Sequence, residues 1–138
     1  MTNERKLELT LCGLVPHKAK CSYTLSDVIK LSSEQKDEIR ESDLTADNLR
    51  FNILYSKPLL HSLDKLTEPI LEGGFIPVEL ILNDWNTMVL SGEEYKEKDL
   101  PKNPAYMENW IVECLKEWHF NIYDLPKEMY IEKSTLNL

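Results

Sequence analysis

A chain of 138 residues with 42% hydrophobic and 29% charged side chains has the size of one domain and the composition of a globular protein. With 24 Asp and Glu against 16 Lys and Arg, its formal charge of −8 argues against autonomous binding to the phosphate backbone of nucleic acid. Three cysteines without a framework read as reduced thiols, the N-terminus has no apolar leader, and no window approaches ~18 apolar residues, so a cytosolic protein without membrane contact is expected.

Residues 7–15 (LELTLCGLV) alternate loosely and end at Pro16, which suggests a short strand or extended entry. Residues 18–25 (KAKCSYTL) also alternate, with Ala19, Cys21, Tyr23 and Leu25 on one face. The Ser26-Asp27 turn signal and the apolar Val28, Ile29 and Leu31 extend this to a hairpin over 18–31. Ser32 and Gln35 have capping-box spacing. The run EQKDEIRES after them has one apolar residue, Ile39, and reads as a solvated helical turn or a loop. Residues 49–55 (LRFNILY) place Leu49, Phe51, Ile53 and Tyr55 on one side, the clearest strand pattern in the chain.

Leu59, Leu63, Leu66 and Ile70 have helical spacing, so a short helix or 3₁₀ piece is expected before the break at Gly73-Gly74. Residues 75–85 (FIPVELILNDW) fit either a buried strand or a short helix with Pro77 in its first turn. A polar loop follows over 91–103. Asn103-Pro104 then supplies an N-cap and Pro at N1. Met107, Trp110, Ile111, Cys114, Leu115 and Trp118 form an i, i+3, i+4 stripe, predicting a helix over about 104–119. Pro126 stops regular structure, and 129–138 is an extended or coiled tail. The expected fold is one small α+β domain spanning 1–138. It has short antiparallel strands packed with one main C-terminal amphipathic helix and one or two short helices.

Catalytic or cofactor chemistry finds little purchase. Cys12, His17 and Cys21 have the spacing C-x4-H-x3-C, and Cys114 and His119 have C-x4-H, but no close C-x2-C pair announces a zinc site. No nucleophile elbow or phosphate-cradling glycine loop accompanies the three histidines, His17, His61 and His119, or Gly73-Gly74. Glu93-Glu94 reads as solvated charge. No catalytic residue, metal or cofactor is therefore assigned. His119, directly after Trp118, is expected to finish the helix by interacting with its dipole or a free carbonyl, with Phe120 to Leu125 folding back over the core.

Charge is spread unevenly. Residues 1–30 carry five basic and three acidic side chains, whereas 34–47 carry six acidic and two basic ones. Glu34, Asp37, Glu38, Glu41 and Asp43 are accordingly the candidate partner-binding residues. They are either an ordinary solvated face or an acidic surface offered to a basic groove.

CGLVPHKAK near the start, SKPLLHSLDKLTEPI followed by FIPVE, and LKEWHFNIYDLPKEMYIEKSTLN at the end resemble a family of small phage and prophage proteins of Bacteroidetes-type bacteria with no assigned chemistry. Trp110, Trp118, His119 and Phe120 are the structural signature residues. The family often has Tyr where His17 stands and Gly where Asp124 stands, and the segment between 30 and 48 has no clear counterpart there. The resemblance implies a mobile-element origin and a bacterial intracellular setting. Small acidic proteins of such elements are often inhibitors of host machinery. The leading expectation is a non-enzymatic, anti-CRISPR-like inhibitor contacting a basic, nucleic-acid-binding surface, the RNA-guided type VI-B nuclease being one conceivable partner. The alternatives are a phage morphogenesis or housekeeping factor that assembles with itself or with virion proteins and, behind these, a Cys/His enzyme or metal protein.

Overall fold

In the computed structural model, which describes residues 1–24, 39–70, 74–88 and 94–133, Thr2 opens the first helix by accepting a hydrogen bond from the Arg5 N–H at 3.2 Å. This helix, α1 (Asn3–Leu14), replaces the strand expected over 7–15. Its buried residues Leu7, Thr10, Leu11 and Leu14 repeat at helical spacing, and the alternating Leu9 is only half-buried. The side-chain cap and the i, i+4, i+7 stripe outweigh a short alternation that serves neither face. A 3₁₀ turn (Val15–His17) then ends at Lys18, whose backbone is left-handed at φ 53°.

The sheet has the order β2-β1-β3-β4 among the described residues. Strand β1 (Lys20–Thr24) runs antiparallel to β2 (Ile39–Asp43) on one side and to β3 (Ser56–Leu60) on the other. β3 pairs in parallel with the short β4 (Ile131–Glu132), so the sheet is mixed, with antiparallel pairing confined to its first three strands. Both neighbours of β1 come from further along the chain. The second arm of the hairpin expected over 18–31, and the capping box at Ser32, lie outside the described residues. Residues 39–43 are a strand, not the solvated turn or loop expected for them. An edge strand exposed on both faces needs no apolar alternation, because its order comes from the ladder to β1.

The largest correction falls on 49–55, which is helix α2 (Leu49–Tyr55) and not a strand. Helical winding turns Leu49, Asn52 and Ile53 inward and leaves Leu54 and Tyr55 exposed. Asn52, completely buried, rewards this geometry. Its amide donates to the Asn48 carbonyl at 3.1 Å and to Asn48 Oδ1 at 2.9 Å, and its oxygen accepts from Ser42 and Ser56 at 3.2 and 2.8 Å. A buried amide so satisfied ties α2 to β2 and to the start of β3. Leu59 and Leu60 complete β3, so the helical piece expected over 59–70 is reduced to a 3₁₀ turn at Leu63–Lys65.

Of the two readings for 75–85, the helix is the one formed. α3 (Pro77–Met88) starts at Pro77, where a missing N–H costs nothing. Of the Gly73-Gly74 break, Gly74 is described and has φ 69°. The helix expected over 104–119 divides. Asn103 accepts from the Ala105 N–H at 3.0 Å and caps a 3₁₀ turn at Pro104–Tyr106. An extended Met107 interrupts the winding before α4 (Asn109–Glu117). The stripe itself is as read, with Met107, Ile111 and Leu115 buried and Trp110, Cys114 and Trp118 half-buried. α1 and α3, at 12 residues each, are longer than this helix.

Two apolar clusters result. α1 packs Leu7, Leu11 and Leu14 against Cys21 and Leu60 of the sheet and against Ala19 just before it, closed by Leu125 and Tyr130. α3 and α4 bury Ile81, Trp85, Ile111, Leu115 and Phe120 in a second cluster. Each fully buried aliphatic side chain contributes about 1.5–3 kcal/mol by leaving water. No helix among the described residues is long and apolar enough to cross a membrane.

Candidate functional site

The segment after α4 sets up the most elaborate corner of the molecule. The His119 N–H donates to the Lys116 carbonyl and the Phe120 N–H to the Leu115 carbonyl, at 3.0 and 2.9 Å, with His119 left-handed at φ 63°. This is the Schellman pattern, with Phe120 and Leu115 both buried in the same apolar cluster. The expected helix-ending role of His119 is therefore carried first by its backbone, at a position where glycine is usual.

Its ring does further work. Nε2 lies 2.7 Å from the His17 carbonyl oxygen and Nδ1 lies 2.8 Å from Lys133 Nζ. A carbonyl only accepts and an ammonium only donates, so these two contacts pair best with a ring that donates from Nε2 and accepts at Nδ1. The His119 carbonyl accepts from the His61 N–H at 2.8 Å, and the His61 carbonyl from the Asn121 N–H at 2.9 Å. All three histidines of the chain thus meet where α4, β3 and the turn after α1 converge. Asn121 closes the fold-back expected for 120–125 by bonding both backbone groups of Leu125, at 2.9 and 3.1 Å.

A cleft of about 680 Å³ opens over this junction. His17, Lys18, Lys20, His119 and Lys133 line it, with Glu117 as its acid and Leu59, Phe75 and Trp118 as its apolar wall. Trp118 meets Phe75 edge to face at 4.9 Å between ring centres. The lysines come from sequence positions as far apart as 18 and 133, so sequence reasoning did not assemble them; the basic excess of residues 1–30 was the one available hint. A larger groove of about 1090 Å³ has Leu63, Leu66, Val78 and Leu100 as its floor, and it gathers none of the histidines or cysteines.

Of the candidate partner-binding residues, Glu41 and Asp43 stand exposed on the edge strand β2, sharing the sheet face opposite the helices. Asp43 approaches Lys20 at 3.9 Å, with both side chains well exposed, a contact worth at most ~1 kcal/mol. Glu34, Asp37 and Glu38 lie outside the described residues. On the opposite sheet face a row of rings runs from Tyr23 through Phe51 to Tyr55, at 5.2 and 5.4 Å. The remaining signature residue, Trp110, donates its indole N–H to Glu108 at 2.7 Å.

The Cys21 and Cys114 thiols are not activated. Burial pushes Cys21 up to about 11, against a smaller opposing hydrogen bond from Ser56. Burial, then the nearby Glu117, Asp84 and Glu113, raises Cys114 as well. Nucleophilic cysteines need the reverse shift. Cys12 is exposed on α1 while Cys21 faces the core. Among the described residues no group of three or more His, Cys, Asp or Glu side chains is placed to hold a metal.

Fold and site together define a small α+β domain with a mixed four-stranded sheet, an acidic edge and a separate histidine–lysine cleft. Compared with protein-family models, with curated proteins and with solved structures, the chain matches none.

Proposed function

We propose that the chain is a non-enzymatic binding protein of a mobile element that docks the acidic edge of its sheet on a basic, nucleic-acid-binding surface of a bacterial defence nuclease. The carrying observation is the exposure of Glu41 and Asp43 on β2, whose outer edge has no strand neighbour among the described residues. Exposed Ile39, on the same face of β2 as Glu41 and Asp43, adds an apolar contact of the kind that anchors interfaces. Carboxylates spaced along an edge strand complement a Lys/Arg-lined groove and occupy it in place of a nucleic acid. The resemblance to phage proteins supplies the setting, the bacterial cytoplasm, and makes an RNA-guided nuclease the first partner to test.

The test adds the purified chain to a type VI-B effector with its guide and follows RNA cleavage. Inhibition is expected. Reversing two charges with Glu41→Lys and Asp43→Lys should weaken it at least about 100-fold, since like charges across an interface cost several kcal/mol. Inhibition that survives the reversal removes the acidic edge from the explanation, and absence of binding to the effector removes that partner. A sheet edge without a strand neighbour among the described residues also favours a second reading, self-assembly as a phage morphogenesis factor. A stable oligomer that dissociates when Ile39 is replaced by Lys would support it.

A further inference from the structure

We propose that the cleft between Lys18, Lys20, Lys133 and Trp118 binds a small ligand carrying both a phosphate group and a planar ring, with a nucleoside monophosphate as its minimal form. This site has its own lining, meets the acidic edge at the contact between Lys20 and Asp43, and does not rest on that edge docking a nuclease.

Three observations converge. The first is charge. In a chain of net −8, this cleft gathers three lysines around one carboxylate, Glu117. The second is shape and chemistry. About 680 Å³ falls in the ~300–1,000 Å³ range of small-molecule sites. The half-buried Trp118, braced edge-on by Phe75 and flanked by Leu59, gives a ring a wall to lie against beside the ammonium groups. The third is backbone. Lys18 and His119 both line the cleft, and both are left-handed at φ 53° and 63°. Glycine takes that conformation without penalty, and strained non-glycine residues gather at functional sites. Here the side chains retained are a cation and the imidazole that holds a second cation, Lys133, at 2.8 Å.

Screening decides between a small anion and a nucleic acid. A single phosphate responds to charges within a Debye length of ~8 Å, which here are chiefly lysines. A polyanion extends beyond that distance and meets the acidic remainder of a surface whose net charge is −8.

The experiment titrates the full chain with 5′-AMP, adenosine and inorganic phosphate in about 0.15 M salt, by calorimetry and by tryptophan fluorescence. AMP should bind more tightly than either half alone, and Trp118→Leu should remove that advantage over phosphate. Lys18→Gly is the informative variant. It removes the charge and relaxes the backbone, so the melting temperature should hold or rise while AMP affinity falls about tenfold, one charge-assisted contact. Lys20→Gln should act in the same direction, and Glu117→Gln should tighten binding severalfold. No AMP binding at about 1 mM, the weak end of specific recognition, overturns the proposal. Binding unchanged in Lys18→Gly/Lys20→Gln overturns the location. Equal affinity for AMP and phosphate overturns the ring half of the assignment.

Discussion

Substitutions at His119 separate its two roles. The ring hydrogen bond to the His17 carbonyl is a neutral one, worth about 1 kcal/mol net, and the bond from the Lys133 ammonium about 1.5 kcal/mol at a half-buried site. Removing both costs about 2.5 kcal/mol. Against this stands the left-handed backbone at φ 63°, which disfavours any residue with a Cβ by at least ~1 kcal/mol. His119→Gly loses the bonds but releases that strain, for a net cost of about 1.5 kcal/mol. His119→Ala loses the bonds and keeps the strain, for about 2.5 kcal/mol. Equilibrium urea denaturation of the three proteins should therefore rank them wild type, Gly, Ala, with about 1 kcal/mol between the variants. In an ordinary helical position alanine is better than glycine by a similar amount. An alanine variant as stable as the glycine variant would mean that His119 is not a left-handed cap, and the Schellman reading would fail with it.

Further expectations follow from the buried groups. Because the Cys21 thiol is raised from 9.0 to about 11 in the fold, the unfolded chain loses its proton first as pH rises. Stability is then intact below pH 9.0 and declines towards about 11 by a few kcal/mol at most, on the order of 1–4 kcal/mol. Alkaline denaturation curves should show this slope, and Cys21→Ala should flatten it. Thiol labelling of the native protein should modify exposed Cys12 first, half-buried Cys114 more slowly and Cys21 only on unfolding. Asn52→Ala strands Ser42, Ser56 and Asn48 at once and should cost about 2–4 kcal/mol in the same urea assay. Leu115→Ala, at a fully buried position under Phe120, should cost about 2–5 kcal/mol; a loss under 1 kcal/mol would contradict the packing described for α4.

The α+β class and the apolar stripe of α4 were legible because both rest on side chains whose burial follows their spacing. Residues 49–55 show where that logic stops. LRFNILY satisfies a two-residue alternation and, less visibly, a helix whose inward position is Asn52. Polarity made Asn52 look like solvent-facing sequence, yet it is completely buried because four side-chain and backbone partners satisfy it. Those partners lie at 42, 48 and 56, and periodicity does not encode their convergence. The first helix was missed for a related reason. Leu7, Leu9 and Leu11 alternate as readily as Leu7, Leu11 and Leu14 wind, and the deciding signal was the Thr2 cap upstream. Strand β2 had no apolar pattern to read at all, since its place is fixed by hydrogen bonds to β1.

Net charge had the same blind spot at the candidate sites. A value of −8 directs attention to carboxylates such as Glu41 and Asp43, which the sheet places on an exposed edge. It also conceals a cleft in which three of the 16 basic side chains gather. The cleft exists because the chain turns sharply at Lys18, ends a helix at His119 and brings Lys133 back beside β3, where its N–H donates to the Leu60 carbonyl at 2.7 Å. The end of the helix at His119 is fixed by local hydrogen bonds and the return of Lys133 by a bond to a distant strand, and only their product is basic. An interaction at 3–4 Å is set by the groups present there, while the average over the chain governs solubility and long-range steering. The same protein can therefore present carboxylates on one strand edge and, at Lys18 and Lys133, a cleft of the opposite sign, whatever its net charge.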